Sequence, residues 1–246
     1  MSAKARSARR VRVASLEGEV LTLDADAAHY VVHVLRLRVG DSLEAFDGKG
    51  ALARAELVEV THEAGVRVRI DERLVEEPLG VALHVALATP KGERADWAIE
   101  KLTELGVARI VWLTCERSVV MPKGANRHER WRRLAEAAAR QCGRSRLPVI
   151  EGPVDLTQFV VEPAHHKLVA DPSAEVNLWR RAAELDGEAH LLVGPEGGLT
   201  MAELAAATAA GYTAVRLAPY VLRVETAAVS GAATIVAAAM AKGSVR

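Results

Sequence analysis

Only two cysteines occur among 246 residues, and Cys115 and Cys142 stand in no C-x-x-C pair. No cysteine or histidine cluster has the spacing of metal ligands, so neither a disulfide framework nor a structural metal is expected, and a reducing compartment is. Net charge is missing too: 32 Lys+Arg balance 32 Asp+Glu. Any contact with nucleic acid must therefore come from local patches. The N-terminus is basic, with Lys4, Arg6, Arg9, Arg10 and Arg12, but has no apolar core of the kind a secretory signal needs. The longest apolar run lies near the C-terminus, where alanine dominates and Thr234 interrupts it, so it reads as too weakly hydrophobic to span a bilayer. These absences point to a cytoplasmic location, with no membrane and no metal. What is plentiful is apolar side chain, 50% of residues, enough for one large core or two small ones.

Residues 11–73 read as short alternating segments punctuated by glycine: Val11–Ala14, Glu19–Leu23, Ser42–Phe46, Leu52–Val60 and Val66–Ile70. This is an all-β pattern with one helical insertion at Ala25–Leu35. Arg73–Gly80 is charged and ends in Pro78 and Gly80, the texture of a linker. The expected division is a first domain over 1–73, a linker over 74–80 and a second domain over 81–246. From Val81 onward, apolar strands (Ala82–Ala88, Arg109–Thr114, Lys167–Ala170, His190–Val193, Ala214–Leu217) alternate with longer helical stretches, which predicts a parallel α/β sheet. Helix Asp96–Leu105 carries Trp97, Lys101 and Leu105 at four-residue spacing beside Ile99 and Leu102, and reads as scaffold. All four tryptophans, Trp97, Trp112, Trp131 and Trp179, are expected in the core.

Two turns stand out. Leu191–Val193 runs into Gly194-Pro195-Glu196-Gly197-Gly198, and a helix start follows at once, with Thr200 and Glu203 in the capping-box pattern. Backbone N–H groups at such a helix mouth are free to meet a ligand. After the strand-like run Ala214–Leu217, Arg223-Val224-Glu225-Thr226 opens a second helix. In open α/β sheets ligands sit beyond the carboxyl ends of strands, where both turns lie. Backbone groups of Gly194, Leu217 and Leu222 are then candidate contacts, with Gly197 and Gly198 allowing close approach. Neither turn is G-x-G-x-x-G, no Lys-Ser/Thr follows, and a carboxylate in the loop repels phosphate, so the commoner nucleotide motifs do not apply. Each turn has a plainer reading: a tight turn needing glycine backbone angles for the first, and an Arg223–Glu225 ion pair at a helix start for the second.

The pair of turns resembles the two C-terminal motifs of the ribosomal RNA small subunit methyltransferase E family. Further segments follow the family's order. His29-Tyr30-Val31-Val32-His33-Val34-Leu35-Arg36-Leu37-Arg38 and Phe46-Asp47-Gly48-Lys49-Gly50 resemble its N-terminal domain. Lys91-Gly92-Glu93-Arg94 through Val107, and Gln141-Cys142-Gly143-Arg144-Ser145-Arg146-Leu147-Pro148, resemble its central motifs. There are departures: Val224 stands where the family usually has Thr, Arg140 where it usually has Glu, and the aromatic-rich strand that often opens the family is missing before Val11. The resemblance implies an N-terminal PUA-like β-barrel and a C-terminal trefoil-knotted parallel α/β domain of the SPOUT class. It implies S-adenosylmethionine as cofactor, 16S ribosomal RNA or the small subunit as partner, methylation of uridine N3, and a homodimer. The small apolar surface of Ala227, Ala228, Ala232, Ala233, Ile235 and Ala238 suits close helix packing, between subunits or inside one.

On that implication the cofactor residues are Gly194, Pro195, Glu196, Gly197, Gly198, Leu217, Leu222 and Thr226. Uracil N3 must lose a proton, so a carboxylate, Glu196 or Glu225, is the candidate acceptor and Arg223 the candidate stabiliser of the developing charge. The arginines of Arg127–Arg146 outnumber Glu129 and Glu136 and read as a phosphate-tracking stripe rather than a solvated face. Arg36, Arg38, Lys91, Arg94, Arg117, Gln141, Arg144 and Arg146 are its candidate RNA contacts. His29 and His33, and the His165-His166 pair, read as packing or surface residues. Two other enzyme classes and one non-enzyme fit parts of the chain: a ribose 2′-O-methyltransferase, whose relatives carry Asn where Glu225-Thr226 stands; a nicotinamide oxidoreductase, whose fingerprint is missing; and a non-catalytic RNA-binding assembly factor.

Overall fold

The computed structural model describes residues 9–61, 65–118 and 125–242. The chain forms two compact units, Met1–Glu77 with Glu136–Leu147, and Pro78–Ala135 with Pro148–Arg246.

The first unit is a five-stranded sheet. Strands β1 (Arg10–Arg12), β2 (Val20–Thr22), β3 (Ser42–Phe46), β4 (Ala51–Thr61) and β5 (Gly65–Val75) lie in the order β1-β3-β4-β5-β2, with β1 parallel to β3 and the other pairs antiparallel. Alternation is plain in β4, where Ala53, Ala55 and Leu57 are buried and Arg54 is exposed, as one-sided packing requires. Helix α1 (Ala25–His29) starts where the Asp24 carboxylate accepts the Ala27 N–H at 2.8 Å, and it continues as a π turn over Tyr30–Val34. Arg36, at φ 55°, ends it in the left-handed conformation. Strand β5 runs further than the alternation indicates. Arg73, expected to open the linker, donates instead to the carbonyls of Leu16 (3.2 Å) and Gly18 (2.5 Å).

Segment Glu136–Leu147 joins this unit by contacts with no local sequence signal. Buried Arg10 bonds the Ser145 hydroxyl at 2.7 Å and pairs with Glu44 at 2.9 Å, while the Ser145 N–H donates to the Glu76 carboxylate. The Leu147 N–H donates to the Gly48 carbonyl at 2.8 Å, so two of the motifs quoted above meet here.

The second unit is a six-stranded sheet of β6 (Val81–Ala88), β7 (Arg109–Thr114), β8 (Val149–Asp155), β9 (His166–Ala170), β10 (Gly187–Val193) and β11 (Thr213–Val215). Every pairing in the order β11-β9-β10-β6-β7-β8 is parallel. Helices α2 (Arg94–Glu104), α3 (Ala125–Cys142, its last residues in the first unit), α4 (Leu156–Val160), α5 (Leu178–Ala182), α6 (Met201–Ala209) and α7 (Val224–Ala241) connect or follow the strands. Edge strand β8 and the short α4 and α5 have no counterpart in the sequence reading. In β8 no side chain is fully buried, which removes the hydrophobic signal.

Two tryptophans depart from expectation. Trp112 and Trp131 are buried with ring centroids 4.9 Å apart, but Trp97 is 42% and Trp179 64% exposed. In α2 the buried stripe is Ala95, Ala98, Ile99, Leu102 and Thr103, which leaves Trp97 on the outer side.

Helix α7 is long and apolar enough to cross a membrane by composition, yet it packs on β6, β10, α2 and α5 as the core helix of this unit. Ala227, Ala228, Ala232 and Ile235 are buried within the chain, so this part of its small-residue face is used internally. Gly231 makes that approach possible. A β-carbon there would lie 2.5 Å from Leu191 Cδ2, and Leu191 is fully buried in β10. Gly231→Val is therefore expected to destabilise the protein by about 1–3 kcal/mol through overpacking. A lower urea midpoint at unchanged m value checks it, and an unchanged midpoint contradicts the packing account.

Candidate active site

Because all six strands run the same way, their carboxyl ends share one edge and the loops that follow them gather there. A cavity of about 220 Å³ opens at that edge. Its walls come from the loops after β9 (Ala170, Asp171, Pro172), β10 (Gly194–Glu196, Gly198, Leu199) and β11 (Leu217, Ala218, Tyr220–Leu222), and from Val224 and Ala227 of α7. Gly194, Pro195, Glu196, Gly198, Leu217 and Leu222 line it as expected from the sequence. Gly197 and Thr226 do not. Gly197 faces the Arg117 side chain, which a β-carbon would meet at 3.5 Å, and the α7 residues on the cavity wall are Val224 and Ala227. The β9 loop with Asp171 was missed, since nothing in a short Asp-Pro-Ser turn marks it as a ligand wall.

The glycine turn is closed by a Gly198 N–H to Pro195 carbonyl bond of 2.8 Å, with Gly198 at φ +71°. That angle explains a glycine, and a β-carbon on Gly198 would meet nothing within 4 Å. The capping box at α6 is present in full: Thr200 Oγ1 accepts the Glu203 N–H at 3.2 Å, and Glu203 Oε2 accepts the Thr200 N–H at 2.7 Å. The other oxygen of the same buried carboxylate, Oε1, accepts the N–H of Glu116 in the loop after β7 at 2.7 Å. The next residue, Arg117, reaches over to donate to the Gly197 carbonyl at 2.9 Å. Two loops distant in sequence are thereby tied into one rim.

A second tie carries the charge. Arg94, at the start of α2, donates to Glu196 at 3.3 Å and pairs with Glu225 at 3.6 Å. Glu196 is about half exposed, whereas the Glu225 side chain is 8% exposed and its Oε2 has no hydrogen-bond partner. Glu225 sits in the first turn of α7. The Arg223–Glu225 ion pair weighed from the sequence does not form. Arg223 is the N-cap of α7, is exposed, and has no charged partner among the described residues. Arg94, expected to contact RNA, is placed here as the shared counter-ion of two carboxylates.

This geometry agrees with relatives of known family. Residues 76–236 match an RNA methyltransferase domain family and residues 23–72 an RNA methyltransferase PUA domain family. The chain is 37% identical to the ribosomal RNA small subunit methyltransferase E of Mycobacterium bovis over 220 residues, covering 86% of this chain and 84% of that one. It is 28% identical to its Bacillus subtilis namesake over 227 residues, covering 86% and 87%. The chain belongs to the ribosomal RNA small subunit methyltransferase E family. Among solved structures, the family member from Neisseria gonorrhoeae bound to S-adenosyl methionine superposes with a TM-score of 0.83 at 26% identity, covering 92% of this chain and 96% of that one. A methyltransferase structure from Legionella pneumophila in complex with SAM gives 0.84 at 33% identity, covering 93% and 97%. The fold is thus the PUA-like domain followed by the parallel α/β domain of the SPOUT class that the motifs implied.

Within this family member the arginines expected to track phosphate divide into two kinds. Arg144, expected among the RNA contacts, is 8% exposed, and burial pushes its guanidinium down to about 10 against the pull of Glu76, so it is a buried group of the first unit. Arg146 lies against Gly50, whose missing side chain makes room for the guanidinium. Gln141 is exposed, and Arg36 and Arg38 are exposed on a loop, not on a strand edge. On α3, Arg130 pairs with Asp96, Arg132 and Arg133 share Glu129, and Arg140 pairs with Glu136 while stacking on Tyr30 at 4.5 Å. The first three are more than 60% exposed, so their pairs are worth only ~0–1 kcal/mol each and yield readily to a polyanion. Lys91 is exposed in the loop after β6.

Removing the Glu203 carboxylate leaves two backbone N–H groups without their acceptor. Glu203→Ala should lower stability by about 1–3 kcal/mol and speed amide exchange across Glu196–Thr200 and at Glu116 together. Exchange that rises at Thr200 alone would show that the tie between the two loops carries no weight.

Proposed function

We propose that this chain transfers a methyl group from S-adenosylmethionine to N3 of a uridine in 16S ribosomal RNA. The observation that carries the reading is an apolar cavity beyond the strand ends whose lining residue Glu196 shares Arg94 with the buried Glu225. The cavity suits the cofactor: Leu217, Leu222, Val224 and Ala227 would pack on its apolar parts, and the open face of the glycine turn would admit the rest. Val224, where the family usually carries Thr, leaves that part of the wall apolar. When bound, the cofactor supplies an electrophilic methyl carbon on a sulfonium.

The protein's share is the base. Glu225 is the better proton acceptor of the two, because it is buried, has an unpartnered oxygen and is held in place by Arg94. Glu196, half exposed, steadies Arg94 from the other side. Arg223 is free to approach a uracil oxygen as the N3 proton leaves for the carboxylate and negative charge spreads over the ring. The positive groups Lys91, Arg117 and Arg130–Arg133 of this unit, and Arg36, Arg38 and Arg146 of the first, supply phosphate contacts. We further propose that the protein acts as a homodimer. Tyr220 and Val221, 81% and 78% exposed beside the cavity, offer an apolar surface for a second copy, and light scattering on the purified protein measures it.

Mass mapping of ribosomal RNA from cells lacking this protein should reveal one 16S uridine without its base methyl. A missing ribose methyl would instead place the enzyme among the 2′-O-methyltransferases, and a complete methylation pattern would leave an assembly role. Gly198→Val adds a branched side chain at a positive φ on the cavity's open face and should abolish S-adenosylmethionine binding by calorimetry while the protein stays folded. Arg223→Lys keeps the charge but not the planar donor fork, so turnover should fall more than RNA or cofactor affinity. Arg223→Ala should lose about 10²-fold or more in single-turnover rate. A near-parental rate in folded Arg223→Ala would remove Arg223 from the mechanism.

A further inference from the structure

The body of the parallel sheet, midway along its two central strands, holds a polar cluster that the methyltransfer site does not use. His84 of β6 and His190 of β10 are register partners, and their rings stack with centroids 5.1 Å apart. Glu188, two residues before His190 on the same face of the strand, brings Oε1 to 3.2 Å from His190 Nε2 and 3.7 Å from His84 Nδ1. The His190 side chain is wholly buried, and His84 Nδ1 is buried without a hydrogen-bond partner. One carboxylate oxygen thus faces two imidazole nitrogens while only one of the two is at hydrogen-bond distance. A proton alone leaves the second nitrogen unsatisfied; a cation bound to all three satisfies each of them.

We propose that His84, Glu188 and His190 form a binding site for a divalent transition-metal ion of the Zn²⁺ class. One ligand atom from each residue lies within 4.8 Å of the others. A tetrahedral ion with bonds of about 2.0–2.2 Å sets its ligands roughly 3.3–3.5 Å apart, close to the two separations measured from Glu188. Two imidazoles and one carboxylate are a zinc-type donor set with a fourth position left for water. The outer shell fits as well. His190 Nδ1 meets the buried Tyr212 hydroxyl at 3.2 Å, which fixes the ring with Nε2 toward Glu188, and Phe159 stacks on its face at 5.0 Å. The neighbouring charges are Arg109, neutralised by Glu151 and Glu162, so with Glu188 the surroundings carry an excess of negative charge. His84 lies more than a hundred positions before Glu188 and His190, which is why ligand spacing along the chain gave no sign of a metal. An ion here joins β6 to β10, the two central strands, and none of its three ligands lines the cavity, so it acts on stability rather than on methyl transfer.

The test uses the full-length protein with His29 and His33 both replaced by alanine, because that exposed pair, with rings 4.9 Å apart, offers a second, weak metal site. Chelator-stripped protein is titrated with Zn²⁺ by calorimetry and with Co²⁺ by visible absorption, and its melting temperature is followed against free Zn²⁺. One equivalent of Zn²⁺, tetrahedral Co²⁺ bands and a concentration-dependent rise in melting temperature are expected. Glu188→Gln, conservative at a half-exposed position, should abolish all three, and Tyr212→Phe should weaken binding about 10–100-fold by removing outer-shell support. Absence of a stoichiometric site in the parent, or a site that survives Glu188→Gln unchanged, overturns the assignment.

Discussion

The Glu203 carboxylate is the constraint on which the cavity depends. Its two oxygens accept N–H groups from two different loops, Thr200 at the head of α6 and Glu116 after β7, and it does so from a buried position. A buried anion with both oxygens bonded is costly to release, because each lost bond exposes an uncompensated charge and an orphan donor. The turn between them inherits this rigidity. Arg117, carried by the second loop, holds the Gly197 carbonyl, and the Pro195–Gly198 bond closes the turn, so the glycine backbone is shaped before any ligand arrives.

With the rim fixed, electrostatics decides what the four ionisable side chains Arg94, Glu196, Arg223 and Glu225 do. Arg94 is mid-exposed and serves two carboxylates at once, and it holds each more loosely than a bidentate pair would. Glu225 therefore keeps an oxygen free in a desolvated place, while Arg223, two residues earlier, is left uncommitted in solvent. Had Arg223 and Glu225 paired with each other, the helix would be better capped and both groups would be spent. The ion pairs on α3 show the contrasting regime. They are exposed and worth little individually, so they keep the arginine face soluble without competing seriously against phosphate.

Much of this was legible from residue order because it is local. The capping box Thr200/Glu203, the glycine turn, the strand alternation of β4 and the apolar strands from Val81 onward each express a short-range rule, and each is found in place. What was not legible is tertiary. The second partner of Glu203, the shared role of Arg94, the Asp171 wall and the His84–Glu188–His190 cluster all join residues whose separation is set by strand order. Arg144 illustrates the same limit from the other side: a run of arginines looks uniformly like a polyanion stripe, yet this one is buried near Glu76. Trp97 and Trp179 were misplaced because periodicity identifies a face but not which neighbours cover its edge.

The parallel sheet explains why the chemistry collects where it does. When all strands point one way, every outgoing loop leaves from a single edge and every incoming loop enters at the other. The outgoing edge receives the loops after β6, β7, β9, β10 and β11, and with them Arg94, Arg117, Asp171, Glu196 and Arg223, although these span well over a hundred residues of sequence. Away from that edge, in the body of the sheet, polar side chains face one another across adjacent strands, as His84 and His190 do midway along β6 and β10. Groups in the body of the sheet are free to serve cohesion because substrate never needs to reach them. The division is a consequence of topology before it is one of residue choice, so a substitution's effect on activity or on stability follows first from whether it lies at the outgoing edge or within the sheet.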